Sequence, residues 1–110
     1  MIIRIWHGWT SHQYADAYEE LLREEIFVGI AAHNIRGLRD IKLLRRKQEA
    51  EVEFITIMSF ASLAAVREFA GEDYDLAVVP PKARQFLARF DQRSQHYELL
   101  VENSLSATDR

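Results

Sequence analysis

The sequence predicts an α+β domain in which helices cover one face of a single antiparallel sheet, and three observations carry that prediction. The first is Glu51–Asp73, EVEFITIMSFASLAAVREFAGED, which changes in mid-run from the period of a strand to the spacing of a helix. The second is the opening Ile2–Trp9, rich in β-branched and aromatic residues at period two, followed at once by a helical apolar stripe. The third is a run of three strand-like segments separated by one helix and one tight turn, an order that a parallel sheet does not produce.

Taken in order, Ile2–Trp9 presents Ile3, Ile5, His7 and Trp9 on one face and Ile2, Arg4, Trp6 and Gly8 on the other. Trp6 and Trp9 therefore face opposite ways, so at least one of them leaves the helix-covered core. Thr10 with Gln13 has the spacing of a capping box, and Tyr14, Ala17, Tyr18, Leu21, Leu22 and Ile26 form the stripe of a helix of roughly 15 to 20 residues. The stripe ends near Asn34–Gly37. Leu38–Lys47 then reads as a strand, joined through a Lys-Gln-Glu-Ala turn to the next strand at Val52. In that strand Val52, Phe54, Met58 and Phe60 share one face and Glu53, Ile55, Ile57 and Ser59 the other, so both faces are covered and the strand is central. Ser62 is placed to cap a short helix carrying Leu63, Val66, Phe69 and Ala70, with Gly71 in the position of a left-handed C-cap. The prolines of GEDYDLAVVPP suit the first turn of another short helix bearing Ala83, Phe86, Leu87 and Phe90, and His96–Glu102 forms the last strand. Residues 1–103 make one domain, and residues 104–110 a flexible polar tail.

The order β-α-β-β-α-(α)-β is the split β-α-β arrangement of ferredoxin-like folds, and right-handed crossovers give it the sheet order 4-1-3-2. Leu38–Lys47 is then an edge strand. Its basic run, Arg36, Arg39, Lys42, Arg45, Arg46 and Lys47 against the single acid Asp40, reads as protection against unwanted strand pairing. Apolar residues fall on both faces of the last and first strands, with Tyr97, Leu99 and Val101 on one side and Ile2 with Trp6 on another. One layer of helices cannot cover both, so a homodimer is expected.

Composition excludes several kinds of chemistry. The absence of cysteine rules out a disulfide framework, a thiolate nucleophile and Cys-ligated metal, and fits a reducing, cytoplasmic setting. The four histidines at 7, 12, 33 and 96 have no metal-ligand spacing and the four glycines stand singly, so no metal, flavin or nucleotide cofactor is expected. The start lacks the basic and long apolar regions of a signal peptide, and no apolar run approaches the ~20 residues of a membrane span. A net charge of −3 gives no drive toward nucleic acid, and the basic run has no interleaved aromatic pair with which to stack bases.

The opening Ile-Trp-His-Gly, the strand EFITIMSF leading into Ser62, the Phe69-Ala70-Gly71-Glu72-Asp73 turn with Ala77-Val78-Val79-Pro80 behind it, and the closing His96-Tyr97-Glu98 resemble the antibiotic biosynthesis monooxygenase-like family, in an uncharacterised branch. The resemblance covers about residues 2–102 of the chain. It implies a ferredoxin-like protomer that dimerises through its sheet into a dimeric α/β barrel, with a small pocket between sheet and helices. Some members oxygenate aromatic polyketides without metal or flavin, and others degrade haem. Haem degradation is not expected here, because Tyr74–Phe90 contains no histidine and the first strand no asparagine.

Candidate chemistry falls on six residues. If the end of the first strand meets the start of the last, His7 and Trp9 approach His96, and two imidazoles beside an aromatic ring could hold a phenol and accept its proton. His7 is the stronger candidate because its strand is central. The competing account makes these histidines hydrogen-bonded core or rim residues. Arg84 is a candidate for an anionic substrate or a surface ion pair, Tyr74 for a gate or for packing, and Phe69 for a cavity wall or core. The functional expectation is a cofactor-independent oxygenation of a small aromatic compound; the alternative is a non-catalytic small-ligand-binding or stress-associated homodimer.

Overall fold

Helices lie on one face of a five-stranded antiparallel sheet. The computed structural model describes residues 1–105; the end of the expected polar tail, residues 106–110, lies outside them. The strands are β1 (Ile2–Thr10), β2 (Leu38–Lys47), β3 (Val52–Phe60), β4 (Leu87–Phe90) and β5 (Gln95–Glu98). A helical run connects β1 to β2: a 3-10 turn (His12–Tyr14), α1 (Ala15–Leu21), a π-helical turn (Leu22–Ile26) and α2 (Phe27–Ala32). Two short helices, α3 (Leu63–Ala70) and α4 (Pro81–Arg84), follow β3.

The spatial order is β2-β3-β1-β4, with β5 also paired to β1. Read from the other edge, this is the expected order 4-1-3-2, with the fourth position shared by two strands: β4 bonds the end of β1 and β5 its beginning. The register puts Arg4 opposite Met58, Trp6 opposite Thr56 and Gly8 opposite Phe54 on the helix-covered face. Ile5 opposite Ile57 and His7 opposite Ile55 occupy the open face. Trp6 thus lies under the helices and Trp9 outside them, as the alternation requires.

The sequence reading departs from the structure in three local features. The helix expected to run through Phe86, Leu87 and Phe90 stops at Arg84, and Leu87–Phe90 is a strand. The end of β1 would otherwise carry a row of unpaired peptide groups, and that tertiary demand outweighs the helical spacing of three apolar residues. The last strand runs over Gln95–Glu98 rather than to Glu102, because β1 begins at Ile2 and opposes nothing further. Leu99 N–H still reaches Met1 O at 2.9 Å, and beyond it Leu100 and Val101 are exposed. The capping box at Thr10 does not form: Thr10 is still a fully buried strand residue, its hydroxyl donating to Ser11 O at 2.8 Å.

Elsewhere the local signals hold. Ser62 Oγ accepts from Ala65 N–H at 3.2 Å and caps α3. Gly71 ends that helix at φ +93°, but with ψ −173° it lies in the extended region that essentially only glycine occupies, not in the left-handed helical well. The edge strand β2 carries Arg45 on its helix-facing side, where the guanidinium bonds Asp16 at 2.9 Å and Glu19 at 2.7 Å and ties β2 to α1.

The core is divided into two clusters. One joins Tyr18, Leu22, Phe54 and Ala83; the other joins Met58, Phe60, Ala65 and Val66. The seam between them sets the position of the cavity described next. Among the described residues, no helix is long and apolar enough to cross a membrane.

Candidate functional site

At the seam the sheet presents Arg4 and Trp6 from β1 and Thr56 and Met58 from β3, and this floor is roofed by Tyr18, Leu22, Ile26 and Phe27 from the connecting helix. The half-open cavity is about 60 Å³. The roof residues Leu22 and Ile26 bound the π-helical turn, whose one extra residue per turn rotates the flanking apolar positions and keeps the wall from closing onto the floor. Phe69, Ser94 and the Val78–Pro80 segment complete the lining. A neighbouring cleft of about 370 Å³ shares Ile30, Phe69 and Val78 with this cavity and adds His33, Ile35 and Glu68.

Arg4 is the unusual residue of the site. It is only 3% exposed, and its guanidinium stacks 5.4 Å from the Phe69 ring centroid. One terminal nitrogen donates to Tyr74 O at 2.5 Å and lies 3.0 Å from His96 Nε2; the other donates to Leu76 O at 3.2 Å. Burial pulls its pKa down to about 10, against the opposing pull of Asp75, so the side chain remains a cation at neutral pH.

His96 is fixed from both sides. Its Nδ1 lies 2.8 Å from Asp75 Oδ1 and its Nε2 faces Arg4, so Nδ1 carries the proton and donates to the carboxylate while Nε2 accepts from the guanidinium. Burial, and then the Arg4 charge, lowers its pKa from the ordinary 6.5; the bond to Asp75 works against that shift. The ring of Tyr74 meets the imidazole edge-on at 5.3 Å, and Arg67 lies 5.4 Å over the Tyr74 ring. The segment carrying Tyr74 and Asp75 is itself sewn to the chain before β5 by Ser94 N–H to Asp75 O and by the Arg93–Asp73 ion pair.

The structure therefore brings together three of the six sequence candidates, His96, Tyr74 and Phe69, around a residue that sequence reading passed over. His7 and Trp9 lie elsewhere. Because β5 pairs with the start of β1, His96 stands beside Arg4 on the helix-covered face, and His7 occupies the opposite face three residues along. The expected convergence of the two histidines does not occur. His7 instead bonds Glu53 through Nδ1 at 2.8 Å and stacks on Trp9 at 5.9 Å, and Arg89 covers the other ring at 3.8 Å. Arg84 is outside the cavity, donating to Val79 O at 3.1 Å and lying 5.5 Å over Phe90. A signal for Arg4 was present in the chain: it is the one charged residue on the Ile2, Trp6, Gly8 face of a central strand, and a charge at such a position must be paired or functional. No group of three or more histidine, aspartate or glutamate side chains that could hold a metal ion occurs among the described residues.

No protein-family model matches the sequence, and no curated protein matches it. Solved structures do. One is a Bacillus cereus protein whose crystal structure is named a "putative antibiotic biosynthesis monooxygenase", with a TM-score of 0.67 over 94% of this chain and 97% of that one. The two chains share the fold. At 11% identity the likeness concerns the arrangement of strands and helices, and it matches the ferredoxin-like architecture that the element order implies.

Proposed function

We propose that the protein is a monooxygenase-like homodimer that takes up a small aromatic compound between its sheet and helices and oxygenates it without a cofactor. The observation that carries this reading is the cavity at the seam of the two core clusters, with aromatic and aliphatic walls and one buried cation. The shared fold with a structure named for monooxygenase activity supports it. In such a reaction the substrate anion supplies the electrons that reduce dioxygen: a C–O bond forms, the O–O bond breaks, a substrate CH2 becomes C=O, and its two hydrogens leave with the second oxygen atom as water. The contribution of this chain is electrostatic. A guanidinium in a low-dielectric site favours the substrate oxyanion, and His96, which lies behind Arg4 and outside the cavity lining, holds that guanidinium in place through Nε2.

A second reading, a small-ligand-binding homodimer without catalysis, is favoured by one observation. Among the described residues no imidazole or carboxylate lines the cavity, and His96, which lines a separate depression beside Arg4, has both ring nitrogens engaged. Oxygen uptake with polycyclic phenols under metal-free conditions separates the two, with binding followed in parallel. Oxygenation predicts uptake that falls about 100-fold or more in Arg4→Gln, which removes the partner of the oxyanion, and changes little in His7→Ala. Binding without uptake selects the second reading, and absence of both overturns the cavity as a ligand site.

A further inference from the structure

We infer that the cavity holds a carboxylate site, so that the ligand is a small aromatic acid whose carboxylate sits between Arg4 and Ser94 and whose ring extends toward the neighbouring cleft. This rests on the proposed uptake of an aromatic compound and specifies its class.

Two independent features of the cavity converge. A guanidinium has five N–H donors. Arg4 directs three of them at Tyr74 O, Leu76 O and His96 Nε2, leaving its Nε hydrogen and one Nη2 hydrogen unspent. All three acceptors are neutral. Among the described residues no carboxylate bonds this cation directly; Asp75 reaches it only through the imidazole of His96. A buried cation whose direct partners are all neutral, with the Asp75 carboxylate acting on it only from a distance, is stabilised further by an anion in contact. The second feature is Ser94, 5% exposed and lining the same cavity, whose Oγ has no hydrogen-bond partner among the described residues. An unpaired buried hydroxyl costs about 1–3 kcal/mol, which a ligand acceptor would recover.

Charge, shape and size then narrow the anion. One cation and a lining of Leu22, Phe27, Met58 and Phe69 suit a monoanion with an apolar body better than a doubly charged phosphate. A planar carboxylate matches a guanidinium fork in two parallel bonds and is ionised at neutral pH without help from the protein. The space of about 60 Å³ beside Arg4 and Ser94 suits a head group, and the neighbouring cleft of about 370 Å³, which shares Ile30, Phe69 and Val78 with it, is roomy enough for a ring.

Binding is measured by calorimetry with benzoate, phenylacetate and salicylate and with the matching neutral amides. Wild type should bind at least one acid about tenfold or more tightly than its amide, the difference expected of a charge-assisted pair. Ser94→Ala should weaken the acid several-fold and the amide by less, since the bond to a charged acceptor is the stronger. Arg4→Gln should abolish the preference; since Arg4 also anchors the Tyr74–Leu76 segment, the acid-to-amide ratio in wild type and Ser94→Ala decides the matter if that variant fails to fold. Amides that bind as well as acids overturn the carboxylate site and leave the aromatic pocket standing. Failure of acids and amides alike overturns both.

Discussion

A cation on the buried face of β1 organises everything chemical in this molecule. Arg4 holds the Tyr74–Leu76 segment by two backbone carbonyls and holds His96 in its neutral form, so the aromatic wall, the imidazole and the loop share one anchor. A dependence of stability on pH follows from the lowered pKa of His96. The folded protein resists charging an imidazole that faces Arg4 and Tyr74, while the unfolded chain takes up the proton near pH 6.5. Between the lowered folded value and about 6.5 the unfolded state binds more protons, so the contribution of this group is full above about 6.5 and is lost as pH falls through the folded pKa. Urea midpoints of wild type should drop from pH 7.5 to 5.0 by more than those of His96→Asn; equal drops would show that another group carries the effect. Asp75 opposes the shift, so Asp75→Asn should deepen it. The core makes a plainer claim. Phe54 is fully buried and meets Tyr18 edge-on at 4.8 Å, so Phe54→Ala should cost about 3–5 kcal/mol in denaturant unfolding. A near-neutral result would mean that β3 turns its other face to the helices.

At the scale of elements, the strands with strong alternation were legible and the short ones were not. Val52, Phe54, Met58 and Phe60 sit on the buried face as their period requires, and the Ser62 cap forms where its spacing put it. Four residues such as Leu87–Phe90 carry too little pattern to tell strand from helix; what decides them is the unpaired end of β1, which no local window contains. That one misreading also displaced the candidate site. With β4 occupying the end of β1, β5 moves to its beginning, and His96 arrives beside Arg4 instead of His7. The turns that fix these elements can be ranked by experiment. Gly37 and Gly71 both have φ near +90°, but a Cβ on Gly37 would lie 2.9 Å from the Ala65 Cβ, whereas one on Gly71 would meet nothing within 4 Å. Gly71→Ala should therefore cost only the backbone strain, about 1–3 kcal/mol, and Gly37→Ala should cost more because α3 must also shift. Thermal melts giving the reverse order would contradict the close packing of the Gly37 turn against α3.

For the whole molecule the outstanding fact is the face of the sheet that no helix covers. Ile3, Ile5, Ile55 and Ile57 form its centre through the pairs Ile3–Ser59, Ile5–Ile57 and His7–Ile55, with Leu44 and Tyr97, each about half exposed, at its sides. The strand periods of β1 and β3 made this face legible, and Ile2 and Trp6 lie on the other, helix-covered face, away from Tyr97. An apolar patch of that breadth on a thin, one-layered sheet exposes surface that water does not favour, and a two-fold axis lets the same patch cover itself. Around it stand charged groups, Lys42 and Arg46 on β2 and the Glu51–Arg89 pair, which suit the rim of an interface. The expected species in sedimentation velocity at micromolar concentration is thus a dimer of the 12.8 kDa chain. Ile57→Lys puts an unpaired charge at the centre of the patch on the face away from the core, so it should yield monomers that keep their circular dichroism and their aromatic-acid binding. Wild type sedimenting only as the 12.8 kDa monomer would end the dimer, and monomers of Ile57→Lys that no longer bind any aromatic probe would show that the cavity is completed by the partner rather than by one chain alone.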